Sequence, residues 1–366
     1  MGVCAARSAY AAAVAGSSYG SARDRIERVC AAGLDTRTLR LRLLDEFRRT
    51  IGFDAYAWLL TDPETWVGSA PLADVPCLPE LPRLIRLKYL TATNRWTALP
   101  SDGVATLVTA TGGELSRSRL WRELLTDHGV RDVASMVFRD GYGCWAFLDL
   151  WRAGDAGMAF TEAETRFLAE VTAPVTSALR SSQAAAFTAR TPDAGDRHGP
   201  VVLLLSSELG LLGSTPETDA YLRALLPPDA DSPPIPAGAY NVAAQLLAVE
   251  EGIDDHPASA RVHLSAGRWL SLRAARIAEA PPQQGVITVS IEETSPQERL
   301  TLFSSAAGLT GREAELLQHL VAGGDTRELA RRMSVSPHTV QDHLKAVFAK
   351  TATHSRRDLA ARALGS

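Results

Sequence analysis

The sequence predicts a multidomain α+β chain that closes in an all-α domain of four helices. Three observations predict this class. The chain has 366 residues, enough for two or three domains of about 100–200 residues each. Upstream of residue 300, short strand-like runs mix with helical periodicity. The last sixty residues carry helix caps and no strand signal.

Composition narrows the function classes. A hydrophobic fraction of 46% with 22% charged residues is ordinary for a soluble globular chain. Cys4, Cys30, Cys77 and Cys144 lie far apart with no C-x-x-C pair, which argues against a zinc site and a disulfide framework. The opening "MGVCAARSAYAAAVAG" lacks a basic segment followed by a strong apolar core, so it does not read as a signal peptide. No run approaches ~18 apolar residues, so no membrane partner and a cytoplasmic location are expected. The phosphate-loop, H-E-x-x-H and G-x-S-x-G patterns do not occur. Neither a catalytic residue, a metal ligand nor a cofactor is therefore expected. The acidic cluster and phospho-acceptor aspartate of a receiver domain are not apparent either.

Residues 1–30 read as an N-terminal extension that can be disordered. From 31 to 182 one unit follows. "DTRTLRLRLLDEFRRTIG" is a helix with Leu39, Leu43 and Phe47 inward, and "FDAYAWLLTD" is a strand. "DVASMVFRDGYGCWAFLDLWR" is a hairpin turning at Asp140-Gly141. "TEAETRFLAEVTAPVTSALRSS" is a long helix capped by Thr161 and Glu164. Helix, strands and a closing helix resemble a GAF domain, most closely over Asp140 to Arg152. That implies a GAF-like α/β sensor with a small-molecule ligand. The cyclic-nucleotide signature of some GAF domains is not visible. Six of the seven tryptophans lie between Trp58 and Trp151; they either line a ligand pocket or fill a core.

Residues 183–199, "QAAAFTARTPDAGDRHG", read as a linker. From 200 to 300, "PVVLLLSSELGLLGSTPETDAYLRALL" gives two short strands and a helix beginning near Pro216. "PIPAGAYNVAAQLLAVEE" gives another helix. "ARVHLSAGRWLSLRAARI" is a hairpin turning near Ala266-Gly267, and "GVITVSIEE" is a last strand. Two strands, helices and three strands resemble a PAS domain, implying a PAS-like α+β sensor.

The tail, 301–366, carries the most specific signal. From Gly308 onward nine basic residues face six acids, so the tail is +3 while the rest of a chain of net charge -4 is -7. Such asymmetry fits nucleic-acid contact by one end. Two of the three lysines, Lys345 and Lys350, fall in one short segment. Thr310-Gly311-Arg312-Glu313 is a capping box, and Gly323-Gly324 ends the first helix. Asp325 starts a second helix, with Leu329, Ala330 and Met333 inward. After Val335, Ser336 caps a third helix whose first residue is Pro337. Ser355-Arg356-Arg357-Asp358 caps a fourth. The middle pair with its tight turn is the helix-turn-helix plan, for which Ala330, Val335, Val340 and Leu344 are the structural positions. In the third helix Val340, Leu344, Val347 and Phe348 form an apolar stripe, and His338, Gln341, Asp342 and Lys345 a polar one. Lys350, Arg356 and Arg357 flank it as cations.

"LTGREAELLQHLVAGGDTRELARRMSVSPHTVQDHLKAVFAKTATHSRRDLAARA" resembles the LuxR-type DNA-binding domain over nearly its whole length. The residues that carry the likeness are Leu309-Thr310-Gly311-Arg312-Glu313, Gly323, Glu328-Leu329-Ala330, Ser336 to His343 and Ser355 to Leu359. The resemblance implies a transcription regulator that binds double-stranded DNA as a homodimer, with the third helix in the major groove and RNA polymerase as a further partner. It places base reading on Gln341, Asp342 and Lys345. Backbone contacts fall on Ser336, Thr339 and Lys350, joined by Arg356 and Arg357. Dimer contacts fall on the fourth helix, at Leu359, Ala360 and Ala363. Many members have lysine where this chain has Gln341, which weakens nonspecific attraction to phosphate here. An aspartate at 342 can accept from a cytosine amino group, and glutamine can pair with adenine. The GAF-like, PAS-like and LuxR-type order resembles a class of actinobacterial regulators. The alternative is a sensor or adaptor that uses the tail for dimerisation without reading DNA.

Overall fold

The structure, a computed structural model, describes residues 19–100, 103–154, 158–187, 201–218, 237–264, 268–277 and 285–365. The chain divides into two compact units. One holds Met1–Leu59, Pro71–Asp140 and Trp145–Ser182; the other holds Leu60–Ala70, Gly141–Cys144 and Gln183–Ser366. No helix among the described residues is long and apolar enough to cross a membrane.

The first unit opens with helix α1 over residues 19–31. Its Ala22 and Ile26 are fully buried, and Tyr19 stacks on Phe167 at 5.2 Å. This corrects the expected extension: from residue 19 the segment is an amphipathic helix on the core, and only residues 1–18 lie outside the described residues. Helix α2 (Thr36–Thr50) starts where Asp35 accepts from the N–H groups of Arg37 and Thr38. Leu39, Leu43 and Phe47 are buried, as their spacing predicts.

Then come β1 (Ala55–Thr61), β2 (Gly68–Asp74), α3 (Leu81–Tyr89), β3 (Val104–Thr106), α4 (Leu107–Ala110), α5 (Arg119–Glu123), β4 (Val130–Asp140), β5 (Gly143–Ala153) and α6 (Glu162–Ala185). The strands form one sheet in the order β2-β1-β5-β4-β3. Because side chains alternate along a strand, the sheet builds two apolar faces. On one, Trp58 stacks on Phe138 at 5.6 Å and meets Phe47 of α2. On the other, Ala55, Val133 and Trp151 join Leu84 and Leu87 of α3 and Leu120 of α5. Trp58, Trp145 and Trp151 are at most 2% exposed, so these three tryptophans fill the core. Helix α6 opens on Thr161 and Glu164, which cap each other as expected. It runs through Ala185, so the expected linker at 183 begins inside a helix; residues 188–199 of it lie outside the described residues.

A buried charge pair sits between α3 and the sheet. Lys88 Nζ lies 2.9 Å from Asp149 Oδ2, with both side chains 5–6% exposed. Lys88 also donates to the Asn94 carbonyl and the Ser135 hydroxyl. The Ser135 hydroxyl and the Trp96 indole N–H donate to Asp149 Oδ1. Such a pair contributes little net stability while intact, but removing one partner strands a buried charge, at a cost of about 3–5 kcal/mol. Asp149→Leu and Lys88→Met are each expected to destabilise by about that amount in urea unfolding of the full-length chain, and the double variant by clearly less than the sum. An additive double variant would show that the two residues do not act as a pair.

The second unit contains β6 (Val201–Leu205), β7 (Leu211–Ser214), α7 (Ala237–Glu250), β8 (Ser259–His263), β9 (Trp269–Arg276) and β10 (Ile287–Glu293). Its sheet order, β7-β6-β10-β9-β8, repeats that of the first sheet strand for strand. The register sets Ile287 opposite Leu205 and Ile291 opposite Leu272. The helix expected from Pro216 falls mostly, and the turn at Ala266-Gly267 wholly, outside the described residues.

Helix α8 (Pro296–Ala306) follows, with a capping box between Ser295 and Glu298. This helix is not among the expected elements, and the expected domain boundary at 300/301 cuts through it. The signal was present in Ser295-Pro296-Gln297-Glu298. Four helices complete the chain: α9 (Gly311–Val321), α10 (Thr326–Arg332), α11 (Pro337–Thr351) and α12 (Arg356–Leu364). Helix α8 ties them to the sheet that precedes them. Phe187 stacks on Trp269 at 4.6 Å and meets Phe303 of α8 edge-on at 5.3 Å. Arg299 of α8 lies 5.0 Å over Phe187 and donates to the Arg362 carbonyl of α12. His263, beside Trp269, is pushed down to about 4 by burial and by Arg299, so at neutral pH it is uncharged.

Candidate nucleic-acid interface

The tail is built from local chain chemistry upward. In α9, Thr310 accepts from the Glu313 N–H, and the Glu313 carboxylate accepts from the Thr310 N–H at 2.7 Å. Gly323, at φ +92°, takes the left-handed turn that ends the helix. Asp325 caps α10 by accepting from the Glu328 N–H. The turn to α11 passes through Ser334 at φ +55°. Ser336 then accepts from the Thr339 N–H, and Pro337 occupies the first helical position.

Packing separates the two stripes of α11. Val340 and Val347 are fully buried and Leu344 is 3% exposed, against α9 and α10. Ala330 is buried as well, while Val335 is half-buried. Gln341, Asp342 and Lys345 are exposed on the other side, together with His338. The side chains of His338 and Lys345 are 86% and 80% exposed. Within the stripe His338 Nδ1 lies 3.0 Å from Asp342 Oδ2, and Lys345 Nζ 3.9 Å from Asp342 Oδ1. Asp342 is thus flanked by an imidazole and an ammonium group. The sequence reading placed His338 on the stripe without a role; its i, i+4 spacing to Asp342 was the available signal.

The residues expected at the DNA backbone fare differently. Ser336 and Thr339 share a contact at 2.9 Å between their hydroxyls at the start of α11. Lys350 points elsewhere: its Nζ donates to Glu313 Oε2 at 2.6 Å. Arg356 donates to the Thr326 hydroxyl at 2.7 Å, tying α12 to α10. Arg357 is exposed. Lys350 and Arg356, expected at the DNA backbone, thus also tie the tail helices together. The reason is spatial: the end of α11 lies over the start of α9, a proximity that linear order does not reveal.

Of the three expected dimer contacts, two lie inside the single chain. Leu359 and Ala363 are fully buried within the chain, and Ala360 is partly exposed. Helix α12 packs on α8 and α9, so these two residues fill the chain's own core. The unforeseen α8 is the physical cause.

The family model described as "Bacterial regulatory proteins, luxR family" matches residues 307–363, which hold all four tail helices except the last residue of α12. The C-terminal segment thus matches the LuxR-family DNA-binding domain. No curated protein matches the chain. Among solved structures, the chain is similar to the one described as "Huge conformation shift of Vibrio cholerae VqmA dimer in the absence of target DNA provides insight into DNA-binding mechanisms of LuxR-type receptors". The two are 16% identical, with a TM-score of 0.17, over 46% of this chain and 83% of that one.

The Glu313–Lys350 contact yields a pH test. Burial pushes the Glu313 carboxyl up, but the hydrogen bonds from Lys350 and Thr310 outweigh it and hold the group below the ordinary glutamate value of 4.5. Its folded-state value lies below its unfolded one, so its contribution is complete above the ordinary value and is lost as pH falls through the depressed one. Tail stability is expected to drop on acidification below about 4.5. Glu313→Gln should cost about 1 kcal/mol at neutral pH and flatten that acid limb, read by circular dichroism melts. An unchanged acid limb in the variant would remove Glu313 from the account.

Proposed function

We propose that the chain reads specific DNA sequences as a homodimer, with α11 in the major groove and the upstream units controlling it through a ligand or partner. One observation carries this reading. A helix held by buried Val340, Leu344 and Val347 presents Gln341, Asp342 and Lys345, with His338, to solvent. In the proposed complex Lys345 donates to a guanine edge, Gln341 pairs with adenine, and Asp342 accepts from a cytosine amino group. Ser336, Thr339 and Arg357 contact phosphates, near the N-terminus of α11, where anions are favoured. The exposed face of α12, with Ala360, supplies the dimer contact, and RNA polymerase is a further partner. A GAF-like first unit and a PAS-like second sheet are supported by their element orders: helix, strands and closing helix in one, two strands, helix and three strands in the other.

Selection from random duplexes with the full-length chain, at fixed salt, tests this. A defined two-half-site sequence is expected. Lys345→Ala should weaken binding to it by about 1–3 kcal/mol and relax preference at one base pair. Equal loss on all sequences would make Lys345 a phosphate contact. Gln341→Lys should strengthen nonspecific binding and steepen the salt dependence by about one phosphate. Selection of no sequence at moderate salt would favour a sensor or adaptor instead.

A further inference from the structure

Helix α11 carries an exposed side chain to which the proposed DNA contacts give no part. His338 is the second residue of the helix, after Pro337, and its side chain stands in solvent. Recognition helices contact base edges chiefly through their N-terminal residues. His338 precedes Gln341 by three positions, Asp342 by four and Lys345 by seven, so the four share one face. Over that span the helix rises about 10 Å, the length of about three base-pair steps. A groove that receives Gln341, Asp342 and Lys345 therefore also receives His338.

Asp342 fixes what the ring can offer a base. His338 Nδ1 lies 3.0 Å from Asp342 Oδ2. A carboxylate can only accept, so Nδ1 carries the hydrogen and donates it. Nε2, on the far side of the ring, then holds the lone pair of the neutral imidazole and is an acceptor. An acceptor finds no match at a phosphate, which offers acceptors alone, nor at guanine O6 and N7 or thymine O4. It matches the amino groups that adenine N6 and cytosine N4 present in the major groove. Lys345 Nζ lies 3.9 Å from the other carboxylate oxygen, Oδ1, so the acid stands between an acceptor and a donor along the stripe. For the fold the His338–Asp342 contact contributes little, because both side chains are exposed; its consequence is the tautomer.

We infer that His338 is a fourth reading residue of α11. Its Nε2 accepts a hydrogen bond from the amino group of an adenine or a cytosine in the major groove, and Asp342 positions the ring for it. The inference rests on the proposed reading of DNA by α11 and adds to it a residue and the chemical group that residue recognises. Asp342 keeps its own contact with a cytosine amino group, because a carboxylate that holds Nδ1–H through Oδ2 has further lone pairs to offer.

Selection from random duplexes tests it, with the full-length chain and its His338→Ala and Asp342→Ala variants, at about pH 8, where free imidazole is uncharged. Both residues are exposed, so neither substitution disturbs the fold. His338→Ala is expected to relax one base pair that Lys345→Ala leaves specified. Asp342→Ala is expected to relax that base pair and one more. The amino group is then taken out of the major groove at the base pair that depends on His338. There 2-aminopurine replaces an adenine, or 2-pyrimidinone a cytosine. The replacement should weaken binding by the parent chain about fivefold and leave binding by His338→Ala as it was. The inference is overturned if His338→Ala keeps the parent's sequence preference, or loses affinity equally on all sequences as a phosphate contact would. It is equally overturned if the amino-free base weakens both chains alike. If Asp342→Ala leaves the His338 base pair specified, the part given to Asp342 is overturned. A chain that selects no sequence sinks the regulator reading and this inference together, whereas a selected sequence that His338→Ala does not alter sinks the inference alone.

Discussion

Burial of Val340, Leu344 and Val347 against α9 and α10 fixes the attitude of α11, and the direction of every polar group on that helix follows from it. Each of these side chains contributes about 1.5–3 kcal/mol by leaving water. The exposed His338–Asp342 pair contributes a few tenths of a kcal/mol at most. The apolar stripe therefore decides how the helix sits, and the polar stripe is free of structural duty. That division lets Gln341, Asp342 and Lys345 vary without loss of fold. It also accommodates an acid on the exposed stripe. Asp342 sits between His338 and Lys345, so it leaves the stripe close to neutral.

Around that helix the chain uses charge for internal ties. Glu313 belongs to the capping box of α9 and also receives Lys350 from the end of α11. Arg356 links the start of α12 to the start of α10. These ties hold the far end of α11 while its N-terminal half, with Ser336 and Thr339, stays open. Helix α8 adds a second layer. It packs on α12 and, through Phe303 and Arg299, joins the tail to Phe187 and Trp269 of the second unit. A change in that sheet thus has a packed route to the tail.

Much was legible where local chemistry governs. Each predicted helix start in the tail has the cap that its sequence announced, at Thr310, Asp325, Ser336 and Ser355. The hairpin at Asp140-Gly141 is there because a two-residue turn with glycine leaves little choice. Leu39, Leu43 and Phe47 are inward because helical spacing puts them on one face. What escaped reading was weakly patterned or hidden by an assumed boundary. The small-residue helix α1 reads as an extension because Ala-rich amphipathicity is faint. Helix α8 was missed because the 300/301 division split its capping box from its apolar residues.

By itself the sequence determined the tail's helix-turn-helix, the stripe on α11 and the alternation of helices and strands upstream, since caps, turns and periodicity act within a few residues. Only the tertiary structure decided which charged and apolar groups remain available. It paired Lys350 with Glu313 and Arg356 with Thr326, gave Leu359 and Ala363 to the chain's own core and left the Asn241 amide without a partner. It also showed that the two sheets share one strand order. The physical reason is distance along the chain. A cap or a stripe is closed by neighbours three or four residues away, whereas these outcomes depend on partners tens of residues distant that meet only when the helices and sheets pack.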